Sequence, residues 1–133
     1  MTIPAIAWIT FAADAYLVLV AMLLGSFINL ATDRAPRGES LVRPRSHCRA
    51  CGRVLNGLDL VPVAGYLIRR GRCATCQAPI GASSPLVEAA SGACMLIALA
   101  SLGFWPGALL GFALLAVLGT ALVALAYSTT RLR

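Results

Sequence analysis

Three long apolar runs set the pattern of this 133-residue chain. A long polar segment separates the first run from the other two. The first run covers about residues 6–31, and its core, 15–31, is 17 residues without a charge. The other two cover about 85–104 and 108–127, and the last is 20 residues without a charge. A helix needs about 20 apolar residues to cross a bilayer, with a lower limit of about 17. The pattern therefore predicts an all-α membrane protein with three transmembrane helices.

A turn signal places the second and third helices side by side. The segment 103–107 (GFWPG) predicts a tight turn, with Trp105 at the membrane interface. Gly107 and Gly111 have the GxxxG spacing that can bring two membrane helices close, although glycine and alanine are frequent throughout this region. Residues 85–133 are therefore predicted to form a helical hairpin with a short tail.

The composition excludes a water-soluble domain and argues against nucleic-acid binding. Apolar residues make up 59% of the chain and charged residues 12%, whereas soluble domains average about 25% charged residues. All eleven basic residues are arginine, and nine of them lie between Arg34 and Arg72. A nucleic-acid site needs aromatic platforms or a recognition helix, but Tyr66 is the only aromatic residue in 33–84. Attraction to anionic membrane lipids explains the arginines better.

The distribution of charge predicts the orientation in the membrane. The segment 33–84 carries nine arginines and three acidic residues, a net charge of +6. Cytoplasmic loops hold the excess of arginine, so we expect this loop inside and the N-terminus outside. Three spans then place the tail, with Arg131 and Arg133, on the same side as the loop. The predicted parts are a first transmembrane helix, a cytoplasmic loop and a transmembrane hairpin with its tail: 1–32, 33–84 and 85–133.

Two CxxC pairs lie within the loop, with 21 residues between them. Their members are Cys48 and Cys51, then Cys73 and Cys76. This spacing is close to that of a Cys₄ zinc site, in which four thiolates surround the metal as a tetrahedron. The 52 residues of the loop contain few large apolar side chains and cannot build a substantial core, so a metal has to order them. We therefore predict a structural Zn²⁺ in a zinc-ribbon-like loop between helices 1 and 2.

Other interpretations of the cysteines remain open. A pair of disulfides would suit an oxidising compartment, against the cytoplasmic placement expected from the charges. A thioredoxin-like CxxC needs strand–helix alternation, which the sequence here does not suggest. His47 is a weaker ligand candidate, since four cysteines already fill the site, and Cys94 in the second span is expected to be a small buried hydrophobe. Short strands are expected within 58–68.

Several short motifs occur in order around the CxxC pairs. They are GSFIN at 25–29, RAPRGES at 34–40, RPRSHC at 43–48, VPV at 61–63, RGRC at 70–73, API at 78–80 and PLVE at 85–88. This order resembles the N-terminal domain of bifunctional prepilin peptidases, the type IV leader peptidase and N-methyltransferase family. The resemblance covers about residues 20–95. The family's more usual Asp-Asn reads Asp59-Leu60 here, and an aromatic residue usual before PLVE reads Ser84.

The resemblance implies a multi-pass protein of the bacterial inner membrane that processes type IV prepilins or pseudopilins. It implies that the tetracysteine loop is cytoplasmic and binds zinc, and that this domain is associated with N-methylation by S-adenosylmethionine. The family's peptidase chemistry belongs to two membrane-embedded aspartates of a later domain, one of them in a GxGD motif. This chain contains no GxGD motif, so we expect no peptidase activity from it alone.

Two classes of function follow from this expectation. If these 133 residues are the whole protein, it is a stand-alone methyltransferase-type domain, a remnant, or half of a split peptidase with a separate GxGD subunit. The alternative is a non-catalytic zinc-bearing membrane adaptor that docks a partner. The chain lacks the Gly-rich strand–helix loop that would hold the cofactor of a soluble methyltransferase. We therefore expect any cofactor site at the boundary between the loop and the membrane.

Polar side chains near the predicted membrane boundaries are the remaining site candidates. Asp14 lies either at the interface or within the bilayer, where a carboxylate is a functional suspect. Glu88 opens the second span, where it either stabilises the helix dipole by roughly 0.3–1 kcal/mol or pairs with an arginine or with the positive N-terminus of a pilin. Asn29 and Ser26 face the same boundary and suit helix packing or hydrogen bonding. Glu88, Asn29 and Arg45 are the candidate substrate-binding residues.

We predict that a cysteine introduced at Ser40 resists membrane-impermeant thiol reagents in intact cells, because the arginine-rich loop is expected inside. The matched control is Trp105→Cys, in the turn expected outside, which should be labelled under the same conditions. Labelling of position 40 from outside would overturn the topology and, with it, the argument against disulfides.

Overall fold

The computed structural model describes residues 3–131, with side chains from residue 5. Arg133 of the predicted tail lies outside the described residues. The helices are α1 (Ile3–Arg34), α2 (Ala64–Ile68), α3 (Ser83–Leu102) and α4 (Phe104–Arg131). Two 3₁₀ turns lie in the loop, at Ala35–Arg37 and Leu58–Leu60. The three long helices, α1, α3 and α4, are long and apolar enough to cross a membrane, which confirms the predicted fold class.

The long helices extend beyond their predicted ends. α1 runs to Arg34, and α3 begins at Ser83, two residues before the predicted start. Gly103 alone separates α3 from α4, where the GFWPG motif predicts a longer turn. Gly103 has φ +81°, which glycine adopts without steric cost, and Pro106 falls in the first turn of α4, where a missing N–H is tolerated. The chain therefore reverses direction at a single residue.

The three long helices contact one another in pairs and form a bundle. Its fully buried core is small and consists of Ala21, Met95, Leu99 and Leu115. Many of the other large apolar side chains on these helices are exposed; Trp105, for example, is 75% exposed. Such a surface suits a lipid environment, in which apolar side chains need no protein partner.

Glycines let the backbones of α3 and α4 approach closely. A Cβ at Gly107 would lie 2.5 Å from the carbonyl oxygen of Ala98, and a Cβ at Gly111 would lie 2.7 Å from the Sδ of Met95. Both glycines of the GxxxG pair therefore face α3, as the spacing suggested. A larger side chain at Gly107 would meet rigid backbone of α3. At Gly111 it would meet the flexible side chain of Met95.

The loop between α1 and α3 is held by turns and side chains, with no strand among its described residues. Its two β-bridges are isolated ones, His47–Val54 and Arg72–Pro79. The strands expected within 58–68 are wrong, because this segment forms a 3₁₀ turn followed by α2. The physical reason is local. Asn56 and Asp59 exchange hydrogen bonds, each side chain accepting the other's backbone N–H, at 3.0 and 3.1 Å, and this reciprocal arrangement starts a helical turn.

We predict that Gly107→Ala lowers the thermal stability of the detergent-solubilised protein more than Gly111→Ala does. The added methyl at position 107 meets backbone, so the helices must separate, whereas at position 111 the Met95 side chain can move. The expected cost at 107 is about 1–3 kcal/mol, as for overpacking in general. Equal melting temperatures for the two variants would contradict this account of the α3–α4 contact.

Candidate metal centre and adjoining cleft

Each CxxC pair lies on its own backbone knuckle. In the first, the N–H of Cys48 donates to the carbonyl of Arg53 and the N–H of Gly52 donates to the carbonyl of Cys48, both at 2.8 Å. The second knuckle repeats this pattern around Cys73, with Gln77 in the position of the glycine. Gly52 has φ +72° and Gln77 has φ +57°. The left-handed conformation costs a non-glycine residue about 1–2 kcal/mol, so the second knuckle is the more strained.

The two knuckles bring the four cysteines together. Their Sγ atoms all lie within 4.8 Å of one another. The pairs Cys48–Cys76 and Cys51–Cys73, each joining one knuckle to the other, are 3.7 and 3.9 Å apart. A tetrahedral centre with metal–sulfur bonds of about 2.3 Å has sulfur–sulfur edges of about 3.8 Å. The arrangement therefore fits a four-coordinate metal ion.

The electrostatics of the cluster favour a cation at its centre. Backbone N–H groups of Cys76 and Thr75 lower the pKa of Cys73 to about 6. The N–H of Ala78 also lowers the pKa of Cys76, but the neighbouring cysteines outweigh it and raise that pKa to about 11. Four thiolates at this separation repel one another and cannot all ionise unless a positive charge offsets them. A divalent ion supplies that charge.

The other interpretations of these residues fit the geometry less well. All five cysteines are free, and the four clustered ones are equally placed to share one ligand. His47 is outside the cluster, and its Nδ1 lies 3.0 Å from the carbonyl oxygen of Arg45. Cys94 is half-buried in α3.

Asp59 joins the two knuckles and is the important loop residue that the sequence reasoning missed. Its nearly buried carboxylate accepts hydrogen bonds from Arg53, which follows the first knuckle, and from Arg69, which precedes the second, both at 2.7 Å. Burial alone would raise its pKa, but the N–H of Asn56 and the two guanidinium groups lower it to about 2. The Asn-x-x-Asp spacing at 56–59 is the capping signal that could have pointed to it.

A cleft of about 870 Å³ lies between the loop and the adjoining ends of α1 and α3. Two of the three candidate substrate-binding residues, Asn29 and Glu88, line it. The third, Arg45, is exposed and does not line the cleft. Residues of the metal cluster, such as Cys48, border the same space. The cleft thus occupies the boundary at which a cofactor site is expected.

Glu88 connects the loop to α3. Its buried carboxylate accepts the N–H of Val63 at 2.7 Å and the hydroxyl of Ser84 at 2.8 Å. Val63 has φ +57°, which is rare for a β-branched residue, and its γ-turn is closed by a hydrogen bond from Ala64 to Pro62. Such strain costs about 1–3 kcal/mol and persists where surroundings hold it. The hydrogen bond from Val63 to Glu88 and the backbone bond from Leu67 to Val63 hold this turn.

Asp14 and Glu88 are too far apart to act as a pair. A Cβ at Gly25 of α1 would lie 3.0 Å from the carbonyl oxygen of Val87, so Gly25 marks the level of Glu88. Asp14 is 11 residues earlier in the same helix, or about 16 Å along its axis. Two carboxylates must be near contact to share a proton. The described residues therefore contain no intramembrane aspartate dyad.

Comparison with known proteins gives consistent matches. The family model "Bacterial Peptidase A24 N-terminal domain" matches residues 19–102. The prepilin leader peptidase/N-methyltransferase of Myxococcus xanthus (strain DK1622) is 40% identical over 77 residues, which cover 58% of this chain and 23% of that protein. The protein of the same name from Burkholderia pseudomallei (strain K96243) is 36% identical over 129 residues, covering 78% of this chain and 42% of the relative.

A third relative matches in the same way. The prepilin leader peptidase/N-methyltransferase of Bacillus subtilis (strain 168) is 34% identical over 82 residues, covering 62% of this chain and 33% of that protein. The chain thus spans less than half the length of the curated relatives it matches. No solved structure matches it.

We predict that the purified chain contains about one equivalent of a divalent metal ion, because the four sulfur atoms form one tetrahedral set. Elemental analysis measures it. The double variant Cys48→Ser/Cys73→Ser, which removes one ligand from each knuckle, should lose the metal. Cys94→Ser, outside the cluster, is the matched control and should retain it. Full metal content in the double variant would refute the site.

Proposed function

The chain belongs to the bacterial peptidase A24 N-terminal domain family, and we propose that it acts in the processing of type IV prepilins or pseudopilins, as the part associated with N-methylation. Relatives that share this domain are named as both leader peptidases and N-methyltransferases. Of these two activities, peptide cleavage needs a carboxylate dyad, which the described residues do not contain. Methyl transfer to an amine needs only a positioned donor and acceptor.

The observation that carries this proposal is the cleft between the loop and the membrane helices. Its volume of about 870 Å³ falls within the roughly 300–1,000 Å³ of small-molecule sites. It lies at the loop end of the bundle, where the N-terminus of a membrane-anchored pilin would meet the protein. Both apolar and polar groups line it, including Phe27, Asn29 and Glu88.

Glu88 is the proposed receptor for the pilin's N-terminal amine. Each of its carboxylate oxygens already accepts one hydrogen bond, from Val63 and Ser84, but a carboxylate has further lone pairs. No arginine among the described residues forms an ion pair with Glu88. A buried carboxylate without a cationic neighbour attracts a positive group strongly. It would orient the amine and take up the proton that the amine loses. Asn29 would contact the pilin backbone, and the exposed Arg45 would interact outside the cleft.

The proposed cofactors are Zn²⁺ and S-adenosylmethionine. Four thiolates in a tetrahedral set are typical of structural zinc and leave no open coordination position for substrate, so the metal orders the loop and takes no part in the reaction. S-adenosylmethionine would supply the methyl group, and the cleft beside Glu88 is large enough to hold it. The family name N-methyltransferase and the size of the cleft support this assignment.

We further propose that the chain is a multi-pass protein of the bacterial inner membrane, with its loop on the cytoplasmic side. The arginine excess of the loop supports this orientation, as does the need for the reduced thiols of a metal site. The peptidase activity named in the relatives would come from a domain that carries the GxGD motif and its aspartates. If that domain belongs to a separate subunit, the subunit would be a partner of this chain. A purely non-catalytic adaptor is the alternative; it would use Glu88 only to hold the loop on α3 and would leave pilin methylation unaffected by the loss of its charge.

We predict that Glu88→Gln lowers N-methylation of the mature pilin roughly tenfold or more. The amide oxygen can still accept the N–H of Val63 and the amide NH₂ can donate to the Ser84 hydroxyl, but the neutral side chain cannot attract or deprotonate an amine. Mass spectrometry of pilin N-termini, in cells lacking the gene or carrying each variant, measures it. Glu39→Gln is the matched control, because Glu39 is an exposed acidic residue of the same loop, and it should methylate normally.

The outcomes separate the parts of this proposal. Zinc content should be unchanged in Glu88→Gln. A loss of methylation with full zinc content is then due to the lost charge and not to an unfolded loop. Normal methylation in Glu88→Gln would refute the role of Glu88. Normal methylation in cells that lack the gene, with no second copy present, would refute the proposed function itself.

A further inference from the structure

An exposed aliphatic surface lies on the loop between the two knuckles. We call it the aliphatic patch; its members are Leu58, Leu60, Val61, Leu67 and Ile68. Each is between 42% and 65% exposed, although the group falls within 11 residues of an otherwise polar loop. Exposed aliphatic side chains concentrated in one short segment point to an interaction site on a folded protein.

The position of the patch relative to the membrane helices indicates what it contacts. Val63, in the middle of this segment, donates its N–H to Glu88 of α3. Glu88 is five residues beyond Ser83, the first residue of α3, or about 7.5 Å along the helix axis. The segment therefore does not stand away from the bundle. It reaches down beside α3 to the level of the second turn of a membrane-spanning helix.

Two members of the patch, Leu60 and Val61, share a cleft with exposed apolar side chains of α1. Leu23 and Phe27 of α1 are 48% and 50% exposed, and they line the same cleft as Leu60 and Val61. A bilayer that surrounds α1 at this level would also reach Leu60 and Val61, the members of the patch that border the cleft.

The charges beside the patch suit an anionic bilayer surface. Arg70 and Arg72 follow α2 directly and are exposed. An arginine that flanks an apolar segment places its stem along apolar surface and its guanidinium among the headgroups. Aliphatic side chains next to exposed arginines are the pattern of segments that lie in the membrane interface.

We propose that the aliphatic patch is inserted into the headgroup region of the bilayer leaflet on the loop side, with anionic lipid as its partner. The insertion attaches the metal-bearing loop to the membrane at a further place, besides its covalent connections to α1 and α3. Lipid then closes the side of the cleft that Leu60 and Val61 border. This inference does not depend on the proposed methylation, and its test requires neither pilin nor methyl donor.

The test measures the depth of a single tryptophan in nanodiscs that contain the full chain and anionic lipid. Both native tryptophans are first removed by Trp8→Phe and Trp105→Phe, and Leu67→Trp is then made in this background. Val42→Trp in the same background is the matched control. Val42 is an aliphatic residue elsewhere in the loop and is 77% exposed. Metal content establishes that both proteins are folded. Brominated acyl chains quench a tryptophan in the bilayer, and iodide quenches one in water.

We expect the tryptophan at position 67 to have blue-shifted emission and to be quenched by brominated lipid roughly twofold or more above the control, because interfacial segments lie about 5–10 Å into the headgroup boundary. Quenching should be weaker in nanodiscs of zwitterionic lipid alone. Iodide quenching at position 67 equal to that at 42 would overturn the proposal, since the patch would then face water. Blue-shifted emission without bromolipid quenching would also overturn it and would indicate a protein contact between copies. Equal quenching in both lipids would refute the anionic preference.

Discussion

The loop depends on one electrostatic constraint, the confinement of four sulfur atoms within 4.8 Å of one another. Four thiolates at that separation repel unless a cation lies between them, and thiols alone make weak hydrogen bonds. The constraint is built from two short knuckles that need left-handed residues at Gly52 and Gln77. Outside the knuckles, the described residues of the loop form no sheet, so we propose that the loop is ordered by a metal ion at the cluster and by the few side chains that connect to it.

Two carboxylates extend that order away from the metal. Asp59 joins the knuckles to each other through Arg53 and Arg69, and Glu88 joins the intervening segment to α3 through Val63. The first connection fixes the shape of the loop, and the second fixes its position on the helix bundle. The cleft between loop and bundle exists because both are present. Glu88, which accepts the N–H of the strained Val63, is also part of the cleft's polar lining.

Much of the fold was predictable from the sequence, and the reasons are physical. Three apolar runs of spanning length, whose only charges are Asp14 and Glu88, predict three helices, because a bilayer leaves the backbone few alternatives. The CxxC spacing predicts the metal cluster, because a knuckle fixes the relative positions of its two sulfur atoms. The family resemblance named from short motifs agrees with the matched domain at 19–102.

The contacts that position the loop were not predictable in the same way. The segment 58–68 has strand-like composition, but the Asn56–Asp59 hydrogen bonds and the close approach of Gly65 to the backbone of Asp59 make it helical. Glu88 was expected near the boundary, but its bond to Val63 joins residues 25 positions apart, and no local pattern encodes that. The single-residue reversal at Gly103 likewise depends on how α4 packs against α3.

The claim that a metal ion orders the loop and thereby forms the cleft is tested most directly by amide hydrogen exchange, with and without a chelator. The account predicts that metal removal abolishes protection at the knuckle amides of Cys48 and Cys73 and at the amide of Val63, while the amides of α1, α3 and α4 stay protected. The helices keep their protection because their backbone hydrogen bonds are internal to each helix. Unchanged protection of the Val63 amide after complete removal of the metal would contradict the account.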